Sequence, residues 1–340
     1  MRNYSVDVPV AIYIWTRPDY QRIQFEVIKQ ARPSILFLIS DGGRNEKEWE
    51  KININRRMFE NEIDWDCTVY KLYEEKNLGM YTMGRKCYEF VWEKADYCIF
   101  LEDDIVPTVS YFEFCAELLE KYRYDTRICS ISGNNQLESW DKCPYDYFFS
   151  KEGSISGYAT WKRCFEMFYD FSFAEDDYSY NIFRNNLKLY KNKCLMKQTE
   201  AFINYGVYEG HVDGSEYWLS HACYGQSQVH IVSKKNMIRN IGFEASEHID
   251  SANRIPNGIS KLFDLNTYDV TFPLNEPPLV LADLEYEKAR NRALGYNNPW
   301  IVFWRRICRV CLIVKSGDVA YLTKKLKLVI KRTHNVRLEK

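Results

Sequence analysis

The sequence of 340 residues lacks an apolar run long enough to cross a membrane. A membrane-spanning helix needs about 20 mostly apolar residues, whereas runs such as residues 299–304 are far shorter. The start, MRNYSVDVPVAIYIW, also lacks the basic cap, the long apolar stretch and the small-residue cleavage site of a signal peptide. We therefore expect a cytoplasmic protein without an integral membrane helix.

The sequence also lacks the cysteine pattern of a zinc site or a disulfide framework. Its eleven cysteines are scattered, and the one Cys-x-x-Cys pair, Cys308 and Cys311, supplies only half of the ligands of a structural zinc. We interpret the cysteines as reduced core residues. Repeats and low-complexity tracts are absent too. With 46% hydrophobic and 27% charged residues, the composition excludes a disordered chain, a collagen-like repeat and a coiled-coil rod.

The net charge of −1 hides an uneven distribution. Residues 297–340 contain eleven Lys/Arg and two Asp/Glu, a net of +9, whereas the other 296 residues contain 35 and 45, a net of −10. An acidic body argues against nucleic acid as a partner, and the basic segment favours an anionic surface near it.

The first 130 residues alternate apolar strands with amphipathic helices. The spacing of Ile23, Val27 and Ala31 predicts one buried helical stripe, and Ser110 with Glu113 predicts a capping box at a later helix. Such alternation predicts an α/β fold with parallel strands, whose ligands bind at the carboxyl ends of the strands. We predict strands at 8–15, 35–39, 67–73, 97–101 and 127–132, and helices that begin near 18, 80 and 110.

Three adjacent carboxylates, Glu102, Asp103 and Asp104, follow the apolar strand 97–101 directly. Their mutual repulsion at a buried strand end is costly unless a cation compensates it. Carboxylate oxygens suit Mg²⁺ or Mn²⁺, so the cluster predicts a divalent metal with a diphosphate. Capping of the next helix by acidic residues is the alternative interpretation.

The segments around this cluster resemble a known family. They are Asn77-Leu78-Gly79, LEDDIVPTVSYFEFCAELLEKY, ISGNN, YFFSKEGSISGYATWKRCF and NIGFEASEHID. Together they are similar to family-2-like bacterial glycosyltransferases often labelled haemolytic-protein-like, and more distantly to the Golgi N-acetylglucosaminyltransferase that starts complex N-glycans. The resemblance covers about residues 7–250. It implies a GT-A fold, with a Rossmann-like parallel-sheet nucleotide half and an abutting smaller mixed-sheet acceptor half, and sugar transfer from a nucleotide-sugar donor.

The resemblance also implies a donor site. Asp104 would be the metal ligand, and Glu102 and Asp103 would lie on the ribose and donor-sugar side. A nucleotide site would be lined by Thr16, Arg17 and Asp41, although ordinary loop polarity explains these residues as well. The element formed by Asn77, Gly79 and Arg85 would help to hold the donor, or would simply begin a helix with solvated basic residues.

The stretch from Gly79 to Lys86 nearly matches a Walker phosphate loop. Arg85 replaces the lysine of that motif, and Lys86 replaces the Ser/Thr that would bind Mg²⁺. We therefore reject an ATPase.

An acceptor site and a catalytic base are implied further along the chain. Gly157, Tyr158 and Trp161 correspond to a family segment that would contact the acceptor, although Trp161 fits a plain core position equally well. An inverting transfer needs a base for the acceptor hydroxyl, and Glu216 or Asp213 could fill that role or cap a helix. A late histidine, His248, would be a further metal ligand or a structural residue.

The predicted organisation is a GT-A domain at 1–272, divided near residue 135, then a linker at 273–296 and a basic amphipathic tail at 297–340. The tail would bind an anionic membrane surface or dock on the acidic body. We expect an inverting, Mn²⁺- or Mg²⁺-dependent glycosyltransferase that uses a nucleotide sugar, with UDP favoured, and a saccharide or lipid-linked acceptor. The setting would be surface polysaccharide or glycolipid assembly. The alternatives are a sugar-1-phosphate nucleotidyltransferase and a catalytically silent binding module.

Overall fold

The computed structural model describes residues 5–168, 176–191, 196, 219, 223–242 and 265–315. Its strands are β1 (Val6–Ile14), β2 (Pro33–Ser40), β3 (Thr68–Tyr73), β4 (Tyr97–Leu101), β5 (Ile105–Pro107), β6 (Ile128–Ser132), β7 (Tyr147–Ser150), β8 (Tyr158–Trp161), β9 (Val229–Ser233) and β10 (Ile238–Asn240). Its helices are α1 (Pro18–Ala31), α2 (Glu46–Glu62), α3 (Met80–Trp92), α4 (Ser110–Lys121), α5 (Lys162–Phe168), α6 (Asp177–Tyr190), α7 (Leu284–Ala293) and α8 (Pro299–Lys315).

Eight strands form one sheet in the order β3-β2-β1-β4-β8-β6-β9-β7, and β5 pairs with β10 in a small antiparallel ribbon. The strands β1 to β4 run parallel, whereas β8 is antiparallel to both β4 and β6. A parallel half therefore continues into a mixed half, and helices follow it in the chain. The predicted fold class, α/β with a Rossmann-like half next to a smaller mixed-sheet half, is confirmed.

The parallel strands β1, β2 and β4 are buried on both faces, as their near-continuous apolar sequences predict, whereas the edge strand β3 is partly exposed. Along β1, Val8, Val10 and Ile12 are fully buried, and Ala11 on the opposite face is fully buried too. Because β6 is antiparallel to β8 and β8 is antiparallel to β4, β6 runs in the same direction as β4. The carboxyl ends of β1, β2, β4 and β6 consequently meet at one edge of the sheet.

Helix α1 begins at Pro18, as predicted, but it buries a different face from the one that its apolar residues indicate. Ile23 is 50% exposed, whereas Gln21 and Gln24 are fully buried beside Phe25. The predicted stripe that begins at Ile23 is therefore wrong in that residue. The side chains of both glutamines bond to the backbone at the ends of the strands. These bonds compensate part of the cost of removing them from water, since Gln24 Oε1 is buried without a partner.

Helix α4 begins at Ser110, but the predicted capping box is wrong. No side chain of the helix caps its first turn, and the residue before it is Val109. Asp269 caps the helix instead, because its Oδ1 accepts bonds from the Ser110 amide at 3.2 Å and from the Ser110 hydroxyl at 2.7 Å. The cap lies 159 residues away in sequence, so no local pattern could predict it.

Part of the segment predicted as a linker is a packed helix. Within α7, Tyr286, Glu287 and Arg290 are all buried. The Glu287 carboxylate accepts bonds from the Lys151 amide at 2.6 Å and from the Ser150 hydroxyl at 3.1 Å, at the end of β7. These contacts fasten α7 to the sheet.

A group of buried charges surrounds Glu152, directly after β7. Its carboxylate pairs with Lys191 at 2.5 Å and with Arg290 at 3.6 Å, and it accepts a bond from the Tyr224 hydroxyl at 2.7 Å. Burial alone would raise the pKa of Glu152, but the charges of Lys191 and Arg290 outweigh burial and lower the pKa to about 2. The group joins the end of β7, α6 and α7 in one electrostatic network.

The cysteines within the described ranges are unpaired thiols. The interpretation as core residues holds for the seven that are buried, and burial raises the pKa of Cys87 to about 12. It is wrong for Cys308 and Cys311, which are exposed on α8. The buried cysteines are Cys87, Cys98, Cys115, Cys129, Cys143, Cys164 and Cys223.

His230 in β9 is a buried neutral histidine whose Nδ1 lies 2.8 Å from the Ser130 hydroxyl. Burial lowers the pKa of His230 from 6.5 to about 4. As the pH falls below 6.5, the unfolded chain binds a proton that the folded chain does not bind. The contribution of neutral His230 to the free energy of unfolding is therefore fully present above pH 6.5 and is lost as the pH falls towards 4.

We predict that the free energy of unfolding falls by up to about 3 kcal/mol between pH 6.5 and 4 because of this one group. In His230→Gln the side chain cannot titrate, so the fall should shrink by that amount. Urea unfolding at pH 7.5, 6.5, 5.5 and 4.5 measures both proteins. An unchanged pH slope in the variant would show that folding does not lower the pKa of His230.

Candidate functional site

The end of β1 is fixed by side chains from the two following helices. Gln21 of α1 donates to the Tyr13 carbonyl at 2.9 Å and accepts from the Trp15 amide at 3.3 Å. Asn55 of α2 donates to the Trp15 carbonyl at 2.6 Å. These bonds hold the bend that carries Thr16, which is half-buried, and they bring the following arginine to the sheet edge.

The acidic turn after β4 is fixed in the same way. The Gln24 amide donates to the carbonyls of Glu102 and Ile105, both at 2.7 Å. A buried amide that satisfies two carbonyls makes the turn costly to rearrange, because each carbonyl would otherwise be left without that bond. The turn therefore presents its carboxylates from a rigid backbone.

Arg17 lies between the two aspartates of that turn. Its Nη1 donates to Asp103 Oδ1 at 3.2 Å and to Asp104 Oδ2 at 2.9 Å. The arginine side chain is 15% exposed and each aspartate is 13% exposed, so the charges interact with little screening by water. The structure brings Arg17 into contact with the acidic cluster, which the sequence analysis predicted as a separate feature. The Glu102 side chain of the same turn is exposed.

A late segment of the chain passes directly over Asp104. The pairing of β10 with β5 brings it there, and the Ile241 amide donates to the Asp104 carbonyl at 2.9 Å. A Cβ on Gly242 would overlap the Asp104 carboxylate. Only glycine at this position lets the backbone pack directly against the carboxylate.

The donor set of this site fits a hard divalent cation. Asp103 and Asp104 supply carboxylate oxygens, the ligands that Mg²⁺ and Mn²⁺ prefer. Within the described ranges, no three His, Cys, Asp or Glu side chains form a complete set of metal ligands. Water and phosphate oxygens are the usual remaining ligands of magnesium.

Asp41, after β2, holds a neighbouring loop. Its Oδ1 accepts from the amides of Gly42 and Leu78, both at 2.8 Å. Its Oδ2 accepts from the Gly79 amide at 2.9 Å and from the Asn77 side chain at 3.1 Å. The carboxylate is buried, and these four bonds engage both of its oxygens. In this structure Asp41 shapes residues 77–79, so its effect on a nucleotide would pass through that loop.

The loop after β3 lies close to the loop after β2. A Cβ on Gly42 would lie 2.5 Å from the Lys76 backbone, so only glycine allows this approach. Arg56 of α2 joins the same two loops, because it donates to the carbonyls of Ser40 and Glu74. The guanidinium also lies 4.3 Å from the centre of the Tyr73 ring.

Gly79 and Arg85 are at the start of α3. Gly79 precedes the helix with φ of 81° and ψ of 157°, a conformation that is essentially confined to glycine. Arg85 is exposed and forms an ion pair with Glu89 at 3.1 Å. The structure thus places residues 77–79 beside the site and Arg85 on the outer surface of α3.

The predicted acceptor aromatics are core residues. Trp161 is 1% exposed and donates to the Leu119 carbonyl at 3.0 Å, and Tyr158 is 3% exposed with its hydroxyl 2.7 Å from that of Tyr88. Rings so deeply buried cannot stack on a sugar, so that prediction is wrong for both. Gly157 has φ of +63° and lets the chain pass the β5–β10 ribbon.

The two candidate bases, Asp213 and Glu216, and the candidate metal ligand His248 lie outside the described residues. The described chain reaches Gly242, six residues before His248. Residues that the sequence analysis missed are the polar clamps Gln21, Gln24, Asn55 and Arg56. No sequence signal distinguishes them, because a polar residue on an amphipathic helix is normally solvated.

No protein-family model matches the chain, and no curated protein matches it. Among solved structures it is similar to the mannosyltransferase PcManGT from Pyrobaculum calidifontis in complex with GDP-Man and Mn²⁺, with a TM-score of 0.36 and 11% identity over 49% of either chain. It is also similar to HddC from Yersinia pseudotuberculosis, solved with GMP-PN as well, with a TM-score of 0.28 and 12% identity over 46% of this chain and 77% of that one. The chain spans about half the length of the mannosyltransferase. Function has to be argued from the site itself.

We predict that Asp41→Asn destabilises the protein by about 1–3 kcal/mol, because the new amide group would face donors instead of accepting from them. Hydrogen exchange at residues 77–79 should accelerate in parallel. Asp66→Asn, at an exposed aspartate, is the matched control. Unchanged stability and exchange in Asp41→Asn would contradict the loop-holding role.

Proposed function

We propose that the protein is a metal-dependent inverting glycosyltransferase of the GT-A type that uses a nucleotide-sugar donor. The single observation that carries the proposal is the constellation of Arg17, Asp103 and Asp104 at the carboxyl edge of a parallel sheet, with Gly242 over it. Ligands of open α/β sheets bind at this edge. Two rigidly held carboxylates and one arginine suit a bound cation together with a diphosphate.

Asp104 and Asp103 would hold the divalent ion. When bound, Mn²⁺ or Mg²⁺ would act as a Lewis acid that offsets the negative charge of the departing nucleoside diphosphate. Arg17 keeps the two carboxylates in place and would donate to a phosphate oxygen of the donor. Thr16, Glu102 and the loop held by Asp41 would bind the nucleoside, with a UDP-sugar favoured.

The acceptor hydroxyl would lose its proton to Asp213 or Glu216 as it attacks the anomeric carbon. His248 would contribute to the metal site. The acceptor would be a saccharide or a lipid-linked saccharide, in surface polysaccharide or glycolipid assembly at the cytoplasmic side of a membrane. Nucleic acid is not proposed as a partner, because the body of the chain is acidic.

The test is product analysis with a panel of nucleotide sugars, such as UDP-hexoses, UDP-N-acetylhexosamines and GDP-hexoses, in the presence of Mn²⁺. Release of free nucleoside diphosphate would support sugar transfer. Exchange of pyrophosphate would instead indicate a sugar-1-phosphate nucleotidyltransferase. A thermal shift without turnover for any donor would indicate a silent binding module.

We predict that Asp104→Asn lowers turnover by about a hundredfold or more, because one oxygen ligand of the ion becomes an amide. EDTA should abolish turnover of the unaltered protein, and added Mn²⁺ should restore it. Asp66→Asn, at an exposed position, serves as the control. Full turnover in Asp104→Asn, or an activity insensitive to EDTA, would refute metal dependence.

Gly242→Ala should lower turnover while every carboxylate remains present. Its Cβ would overlap the Asp104 carboxylate, whereas a Cβ on Gly225 would meet nothing within 4 Å. Gly225→Ala is therefore the matched control, with activity expected to stay within about twofold of the parent. A displacement of about 1 Å at a reacting centre can cost about a hundredfold in rate. Equal kinetics of the two variants would argue that Asp104 has no role in the reaction.

A further inference from the structure

Helix α8 carries apolar residues on two opposite sides, and one of these sides is largely exposed. One side of α8 is covered: Ile313 is 4% exposed, and Val302 and Leu312 are half-buried. The opposite side is also apolar, and most of its side chains are exposed. Its members are Trp300, Phe303, Trp304, Ile307, Val310, Cys311 and Val314, hereafter the outer stripe.

The outer stripe is a continuous surface. At 100° per residue, its seven members fall within about 120° of the helix circumference, with no charged residue between them. Trp300 is 78% exposed, Trp304 64% and Phe303 55%. Single exposed apolar residues are normal, but a contiguous patch of large ones marks an interaction site. The alternative that this stripe docks on the acidic body does not hold for these side chains.

The charges of α8 are all of one sign. Arg305, Arg306, Arg309 and Lys315 are its charged residues, and Asp and Glu are absent from the helix. Arg306 and Lys315 flank the two margins of the outer stripe on the helical projection. The following residues, 316–340, add seven Lys/Arg and two Asp/Glu. A partner that covers the stripe therefore meets a positive residue at each margin, Arg306 and Lys315.

The orientation of α8 is fixed by the structure around it. The side chain of Asn298 caps the helix by accepting from the amides of Trp300 and Ile301 at 3.0 and 3.3 Å. Arg305 donates to the Leu294 carbonyl at the end of α7. Because α7 is fastened to β7, the outer stripe is presented by an anchored helix.

We propose that the outer stripe binds the surface of a bilayer that contains anionic phospholipid. The three large aromatic side chains would enter the boundary between headgroups and acyl chains, and Arg306 and Lys315 at the two margins of the stripe would contact lipid phosphates. Positive margins favour an anionic surface over a second copy of the same stripe, because two such margins would repel each other. Consistent with lying on a bilayer, none of the helices in the described part of the chain has the length and apolarity needed to cross one.

The test is flotation of the full chain with vesicles of phosphatidylcholine alone and with 30% phosphatidylglycerol. Binding should require the anionic lipid and weaken at 0.5 M NaCl, because added salt screens the attraction. The variant W300S/F303S/W304S should lose about tenfold or more in partitioning. The matched control, L279S/L281S, removes two leucines that are 64% and 70% exposed elsewhere, and it should bind like the parent.

A conservative pair keeps the experiment decisive even if the triple variant folds poorly. Brominated lipids should quench tryptophan emission of the parent, and W300F/W304F should lose that quenching while still floating with the vesicles. Equal flotation of the parent and a folded triple variant would overturn the proposal. So would a dimer in sedimentation that the triple variant abolishes without any lipid binding, because the stripe would then be a contact between two copies. Equal binding to neutral and anionic vesicles would contradict the role of Arg306 and Lys315 at the margins of the stripe.

Discussion

The pairing of Arg17 with Asp103 and Asp104 is the interaction on which the site depends. Two carboxylates side by side at a strand end repel each other, and the guanidinium from the end of the neighbouring strand offsets part of that repulsion. The pairing is possible only because β1 and β4 are adjacent and parallel, which brings their carboxyl ends together. The strand order therefore determines which charged side chains come together in the site.

Buried polar side chains at that edge fix the path of the turns beyond the strand ends. Apolar packing sets the spacing of strands and helices, but it does not determine the path of the turns beyond the strands. Gln24 reaches from α1 to two carbonyls of the acidic turn, and Asp41 accepts four bonds around residues 77–79. These hydrogen bonds hold the backbone at this edge rigid. A site that stabilises charge at fixed positions requires such rigidity.

The sequence predicted strands β1 to β4 and β6 and the acidic turn well, because they depend on local pattern. An apolar run such as YCIFL followed by three acids remains recognisable whatever surrounds it. The errors have a different origin: Ile23, Trp161 and the cap of α4 depend on partners distant in sequence. The sequence around Trp161 suggests a sugar-stacking residue, but in the structure its indole donates to the Leu119 carbonyl inside the core. The clamps at Gln21 and Arg56 were missed for the same reason, since polarity on a helix normally means contact with water.

The charge network around Glu152 bears on where the folding unit ends. Lys151 is buried and Glu152 is half-buried just after β7, and two of their partners arrive more than 130 residues later on α7. Glu287 accepts from the Lys151 amide, and Arg290 pairs with the Glu152 carboxylate. A ribosome-bound chain that has not yet emerged through α7 would hold these groups without those partners, which costs several kcal/mol for a buried charge. The body should therefore complete its fold only after residue 293 has been synthesised. A fragment designed to stop at residue 272 would inherit the same unbalanced charges.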